Sequence, residues 1–260
     1  MKIGIIGAGL IGKTLAQKLS EKGHQILIAN SRGPHTIDFA DNKRIKAVET
    51  RETAKGVDVV ILTIPFGKVK DLPKDLFSQL DANVPIIETM NYFPSRDGVI
   101  EEIENGKPHS VWVQEQIGRP VVKAFNNIVA HSFAKFGQPK GTPGRIALTV
   151  SGDNDDWKKI AIQLVDETGF DAYDAGSIAE SWRQQPGSPA YCTDLTVEEL
   201  KQVLARADKK EILVTRDITA EKIAELGEEY MNIVVTGNYP ENFDDKAINI
   251  FRSLNGIPLK

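Results

Sequence analysis

The chain opens on a short apolar run, Ile3–Gly4–Ile5–Ile6, that breaks into Gly7–Ala8–Gly9–Leu10–Ile11–Gly12. No other feature limits the fold so tightly. The run reads as a buried parallel strand, and the stretch from Leu10 to Lys22 that follows the glycines is helix-like. Each glycine of the G-x-G-x-x-G spacing has a physical task. Gly7 permits the tight turn, Gly9 lets the backbone approach a pyrophosphate, and Gly12 allows close strand–helix packing. The first turn of the helix then directs unpaired N–H groups and its positive dipole end at the phosphates. With strand and helix both in place, the motif predicts a dinucleotide-binding unit formed by Gly7, Ala8, Gly9, Leu10, Ile11 and Gly12.

The end of the second strand decides which dinucleotide. That strand is His24–Asn30, followed by Ser31–Arg32–Gly33–Pro34. An NAD site places Asp or Glu about 20 residues past the glycines, where it bonds the ribose 2′-OH. Here Asn30 is neutral, Ser31 can donate to a 2′-phosphate, and Arg32 can offer it a charge-assisted, often bidentate bond. Gly33–Pro34 turns the chain and holds this loop near the adenosine end. The expectation is NADP rather than NAD.

Strand and helix signals alternate through most of the 260 residues, the pattern of a doubly wound, mainly parallel α/β sheet of Rossmann type. Further strands are expected at Ile45–Val48, Val57–Ile64, Val84–Glu88, Val121–Phe125, Ile146–Val150 and Phe170–Tyr173. Pro65 ends the strongest of them and keeps Ile64 extended. Helices are expected over Asn126–Phe136 and Asp153–Glu167, and a helical stretch over Ser177–Gln184 ends at the breaker cluster Gln185–Pro186–Gly187–Ser188–Pro189. A soft boundary near Asp194 separates residues 1–194, an NADP-binding domain with a substrate-closing segment from about 145, from a small C-terminal α/β extension, 195–260. In the extension, helices are expected at Val197–Ala207, Ala220–Met231 and Asp244–Leu254, with strands at Ile212–Thr215 and Ile233–Thr236. It holds no second glycine loop, so it is expected to be structural or regulatory and to supply no NADP contact.

Composition removes several function classes. A formal charge of −4 leaves no basic footprint for nucleic acid. No apolar run approaches the ~20 residues that span a bilayer, and the N-terminus is a strand rather than a signal segment. A soluble, cytoplasmic protein follows as the expectation. The single cysteine, Cys192, excludes an internal disulfide, and four scattered histidines show no metal-ligand spacing.

In open α/β sheets ligands lie beyond the carboxyl ends of the strands. Three such ends carry suitable groups: Thr63–Ile64–Pro65–Phe66, Glu88–Pro94 with Asn91, and Lys123–Ala124–Phe125–Asn126–Asn127. Asn126 can both donate to and accept from a nicotinamide carboxamide. No nucleophile elbow or zinc-protease motif is present, and Gly12–Lys13–Thr14 lies inside the dinucleotide turn rather than in a P-loop. No Lys, Tyr or His is marked as a general acid, so no catalytic residue is assigned. Hydride transfer between two cofactor-like rings needs none, because that chemistry belongs to the cofactors.

Taken together, Gly7–Gly12, Asn30–Ser31–Arg32, Thr63–Phe66, Val121–Asn126, Val150–Asp153 and Asp174–Ser177 resemble the NADP-dependent reductases of the deazaflavin coenzyme F420, with the related cytosolic domain of Steap metalloreductases. The resemblance covers roughly Met1–Pro189. It implies NADP at the strand ends, contacted by Thr63, Ile64, Pro65, Asn91, Ala124 and Asn126, a small-molecule redox partner, and a homodimer. Two departures stand out: Asn126 replaces a histidine of the archaeal enzymes, and the 65 residues from 196 to 260 extend past their end. Deazaflavin, flavin or a small organic substrate all fit as acceptor, and a non-catalytic NADP sensor is the alternative.

Overall fold

The computed structural model describes residues 1–39 and 41–260. Its centre is a six-stranded, wholly parallel sheet: β1 (Lys2–Ile6), β2 (Gln25–Ala29), β3 (Ile45–Ala47), β4 (Val59–Leu62), β5 (Ile86–Glu88) and β6 (Val122–Lys123), in the spatial order β3-β2-β1-β4-β5-β6. That order reverses beside β1, which creates the switch point where a dinucleotide is expected to lie. The strands are shorter than their apolar runs: β4 begins two residues after Val57, and β6 is only two residues long.

Both sheet faces are covered. Helices α1 (Leu10–Glu21), α5 (Ala130–Lys135) and α6 (Asp155–Glu167) bury one face, where Ile3 and Ile5 meet Leu15, Leu19, Phe133 and Leu164. On the other, Val60 and Leu62 pack with Phe66 and with Trp112 of α4 (His109–Ile117); the short α2 (Pro94–Asp97) and α3 (Glu101–Glu104) lie between β5 and α4 in the chain. Asn154 caps α6 by accepting from Asp156 N and Trp157 N. Helix α5 starts at Ala130 rather than Asn126, because Asn126 and Asn127 are held in a polar network described below.

Strands β7 (Ala147–Val150) and β8 (Asp171–Asp174) form a parallel pair. A single antiparallel bridge, Lys123 to Ser151, ties them to β6. The segment Ile178–Gln184 is a 3-10 turn.

The extension departs from the expected α/β pattern. It is entirely helical among the described residues: α7 (Val197–Arg206), α8 (Ile212–Ala224), α9 (Gly227–Thr236) and α10 (Lys246–Leu254). The two strands expected at Ile212–Thr215 and Ile233–Thr236 lie inside α8 and α9. Their β-branched residues favour strands by local propensity, but propensity yields to packing. Ile212, Arg216 and Thr219 are the buried positions of α8, a spacing only a helix can present to one surface. Arg216 reaches back to Glu104 with two bonds of 2.9 and 3.0 Å, and its guanidinium stands over the Tyr92 ring. The expected helix from Ala220 to Met231 is broken where Gly227 begins α9.

Candidate functional site

The glycine turn is built by contact with the neighbouring strand. Gly7 has φ +118°, a conformation that favours glycine. A Cβ on Gly12 would lie 1.9 Å from Gly7 O and 2.6 Å from Thr63 Oγ1. Thr63 Oγ1 in turn donates to Gly7 O at 2.7 Å, so the end of β4 braces the turn. Gly9, the N-cap of α1, has no neighbour within 4 Å of its Cβ direction, and the helix has no side-chain cap or acidic residue in its first turn. The first N–H groups of α1 therefore have no competing anion from their own turn, the condition for phosphate binding.

A cleft of about 620 Å³ runs from this turn. It brings together Gly7, Ala8, Gly9, Asn30, Ser31, Arg32, Thr63, Ile64 and Pro65. Leu10, Ile11 and Gly12, in the first turn of α1, are not among its lining residues. Asn30 acts chiefly on its own loop: Oδ1 accepts from Arg32 N at 2.9 Å, and Nδ2 donates to Thr36 Oγ1 at 2.8 Å. Ser31 and Arg32 belong to the cleft's polar lining.

Sequence reasoning missed Thr50 and Lys68, which also line the cleft. Lys68 Nζ lies 2.9 Å from Asp71 Oδ2. The signal was available, since Lys68 follows the end of β4 by a few residues and strand-end loops face the ligand.

Asn91, Ala124 and Asn126 are not among the cleft's lining residues. Ala124 is buried in the core. Asn126 Nδ2 donates to Asn91 Oδ1 (3.0 Å) and to the Gln184 carbonyl (2.7 Å), while its Oδ1 accepts from Gln184 Nε2 (2.8 Å). Asn91 Nδ2 completes the knot by donating to the Asn126 carbonyl at 2.9 Å. Phe125, which delivers Asn126, has φ +59°, and among the described residues the other two non-glycine residues with positive φ, Cys192 and Asp194, lie just before the extension. Such conformations cost about 1–3 kcal/mol and persist where the surroundings over-determine them. Here Cys192 N donates to the Asn127 carbonyl at 3.1 Å, joining the two strained segments.

Under this knot lies an ion pair that sequence reasoning also missed. Lys123 Nζ is 2.8 Å from Glu88 Oε1, and both side chains are 0% exposed. Lys123 also donates to the Met90 carbonyl (2.9 Å), Glu88 Oε2 accepts from Met90 N (2.8 Å), and Ser110 Oγ donates to Glu88. The Met90 backbone is thus gripped on both sides, which sets the height of Asn91. A charge ending each of two apolar strands was the visible signal; the pairing required knowing that β5 and β6 are neighbours. Nearby, His109 is buried, and burial, with Lys123 and Arg216, holds its imidazole well below the ordinary value, hence neutral. Among the described residues no cluster of His, Cys, Asp or Glu is arranged to hold a metal ion, and no helix is long and apolar enough to cross a membrane.

Helix α9 ends against the glycine turn. A Cβ on Gly237 would stand 2.5 Å from Leu10 Cδ2, so the extension touches the residue that starts α1.

Residues 2–92 match the family model of NADP oxidoreductases, coenzyme F420-dependent. The chain is 44% identical to the Escherichia coli protein YjhV over 73 residues, 28% of this chain and 53% of that protein. It therefore spans about half the length of that relative. It is also 27% identical to the F420-dependent NADP reductase of Methanocaldococcus jannaschii over 206 residues, 70% of this chain and 86% of that enzyme. The solved structure of the Sinorhizobium meliloti protein SMa0349 superposes with a TM-score of 0.63 at 29% identity, covering 75% of this chain and 95% of that one. The matched residues 2–92 hold that turn, the Asn30–Arg32 loop and Thr63–Pro65.

Proposed function

We propose that this protein is an NADP(H)-dependent oxidoreductase that passes a hydride between the nicotinamide and a flat flavin-like or deazaflavin acceptor. The observation that carries the reading is the cleft itself. An uncapped α1 faces it at one point, and Ser31 with Arg32 rims it at another, with Asn30 where a carboxylate would repel a 2′-phosphate. Bound NADPH would supply the hydride, and the protein would supply position and exclusion of water. Gly7–Gly9 and the start of α1 would hold the pyrophosphate, Ser31 and Arg32 the 2′-phosphate, and Ile64 and Pro65 the path towards the ring. Asn91 and Asn126 would orient the carboxamide end, directly or by fixing the backbone around it. A small-molecule acceptor, a homodimer and a cytoplasmic location belong to the same reading.

The test is fluorescence titration with NADPH and NADH, followed by an acceptor screen of deazaflavin, flavins and dyes. Tight NADPH binding with acceptor-dependent oxidation supports the reading. NADPH binding with no oxidation by any acceptor favours the sensor, to which the closed Asn91–Asn126–Gln184 knot also lends itself. Oxidation by a small carbonyl compound but by no flavin would instead make the acceptor an organic substrate.

A further inference from the structure

Not every charge in the cleft suits a ligand made largely of phosphates. Among the described residues three charged side chains line it: Arg32, just past β2, and Lys68 and Asp71, on the segment that follows β4. Arg32 answers a phosphate, whereas Asp71 would repel one. A carboxylate is an acceptor only, so its place in this cleft calls for a hydrogen-bond donor on the ligand.

Lys68 and Asp71 belong to one 3-10 turn, Phe66–Asp71, in which Phe66 and Val69 are buried. Gly67 N donates to Asp97 Oδ1 at 3.1 Å, which anchors the turn. Side chains three residues apart stand on the same side of a 3-10 turn. Lys68 Nζ lies 2.9 Å from Asp71 Oδ2, and the two side chains are 67% and 63% exposed. The pair uses only part of either group, since an ammonium has three N–H donors and a carboxylate about four lone-pair sites. It therefore offers the cleft an acceptor and a donor side by side. Leu72 and Pro73, the next residues in the chain, also line the cleft and add an apolar surface on which a ring can rest.

We propose that Asp71 and Lys68 read the base of the bound dinucleotide as adenine, Asp71 accepting from the 6-amino group and Lys68 donating to N7. The inference rests on the NADP reading above. In that reading Ser31 and Arg32 take the 2′-phosphate, so the adenosine half occupies this cleft. Asn91 and Asn126, assigned to the nicotinamide end, lie outside its lining. Adenine presents an amino donor beside the N7 acceptor, the complement of a carboxylate beside an ammonium. Hypoxanthine keeps N7 but carries a carbonyl acceptor in place of the amino group, so it would set an oxygen against the Asp71 carboxylate.

The probes are NADPH and reduced nicotinamide hypoxanthine dinucleotide phosphate, titrated by fluorescence into the full chain. Wild-type protein is expected to bind NADPH about tenfold more tightly than the hypoxanthine dinucleotide. Asp71→Ala should bring the two affinities within about twofold by weakening NADPH alone. Asp71→Asn, whose amide can donate to the hypoxanthine carbonyl, should narrow the gap by strengthening the analogue. Lys68→Ala should weaken both dinucleotides alike, because both keep N7. The ribose hydroxyls are the same in both probes, so a preference between them reports on the base. All three positions of substitution are exposed, and the unfolding curves should stay in place. Equal affinity of the wild type for the two dinucleotides, or a preference that survives both Asp71 variants, overturns this assignment and leaves the NADP reading standing. Absence of NADPH binding by the wild type overturns both.

Discussion

At the ends of β1 and β2 the polar groups face an open cleft, whereas at the ends of β5 and β6 they are engaged with one another. Gly9 has nothing near its Cβ direction, α1 is uncapped, and Ser31 and Arg32 rim open space. In contrast, Asn126 uses both amide hydrogens and its carbonyl on Asn91 and Gln184, and Glu88 and Lys123 are wholly buried against Met90 and Ser110. Groups left open by backbone geometry are organised to receive a ligand. Groups satisfied by side chains are organised to hold a shape, since an unmet buried polar group costs more than the bond it once made.

The sharpest way to break this contrast is Lys123→Ala. Removing one member of a buried pair leaves Glu88 uncompensated, and the expected loss is about 3–5 kcal/mol of stability in urea unfolding. A loss below 1 kcal/mol would mean that water reaches Glu88 and that the region is not closed. Next in size is Arg32→Ala, which should weaken NADPH binding by about 1.5–3 kcal/mol, leave NADH nearly unchanged, and leave the unfolding curve in place. An equal loss for both nucleotides would show that Arg32 does not read the 2′-phosphate.

Asn126→Ala tests both regions together. It strands donors and acceptors on Gln184 and Asn91, so stability should fall by about 1–3 kcal/mol. Turnover should fall more than NADPH affinity, because a shift of about 1 Å at the reacting ring can cost roughly a hundredfold in rate. Unchanged turnover would make Asn126 a purely structural residue.

The smallest effect concerns pH. The folded-state pKa of His109 lies well below its unfolded value, so the unfolded chain binds more protons in acid. Stability from this group is complete above about pH 6.5 and declines as the pH falls, by at most ~1.4 kcal/mol per unit. His109→Gln should flatten that part of the profile; an unaltered slope would place its origin in other groups.

Local sequence carried the dinucleotide unit almost entirely. Strand, glycine spacing and helix are contiguous, and each glycine is required by contacts made within that unit or with Thr63. The Asn30–Arg32 loop was legible for the same reason: it consists of three adjacent residues, and Asn30 shapes it through bonds to Arg32 and Thr36. The parallel sheet followed from alternating patterns, because a strand buried on both faces must be apolar along its length.

What the sequence could not determine was set by contacts across long separations. Glu88 and Lys123 are 35 residues apart, and Asn126 and Gln184 are 58 apart; only the sheet order and the fold of the Ile178–Gln184 turn bring them together. The extension shows the same limit most clearly. Ile212–Thr215 and Ile233–Thr236 have strand-like composition, yet among the described residues no strand pairs with them. Arg216 needs helical spacing to reach Glu104 while Ile212 and Thr219 are buried beside it. By itself the sequence determined the nucleotide turn, whose hydrogen bonds and close approaches are mostly local. Tertiary structure alone decided the helical extension and the closed strand-end network, because their polar groups and apolar faces are satisfied only by partners distant in the chain.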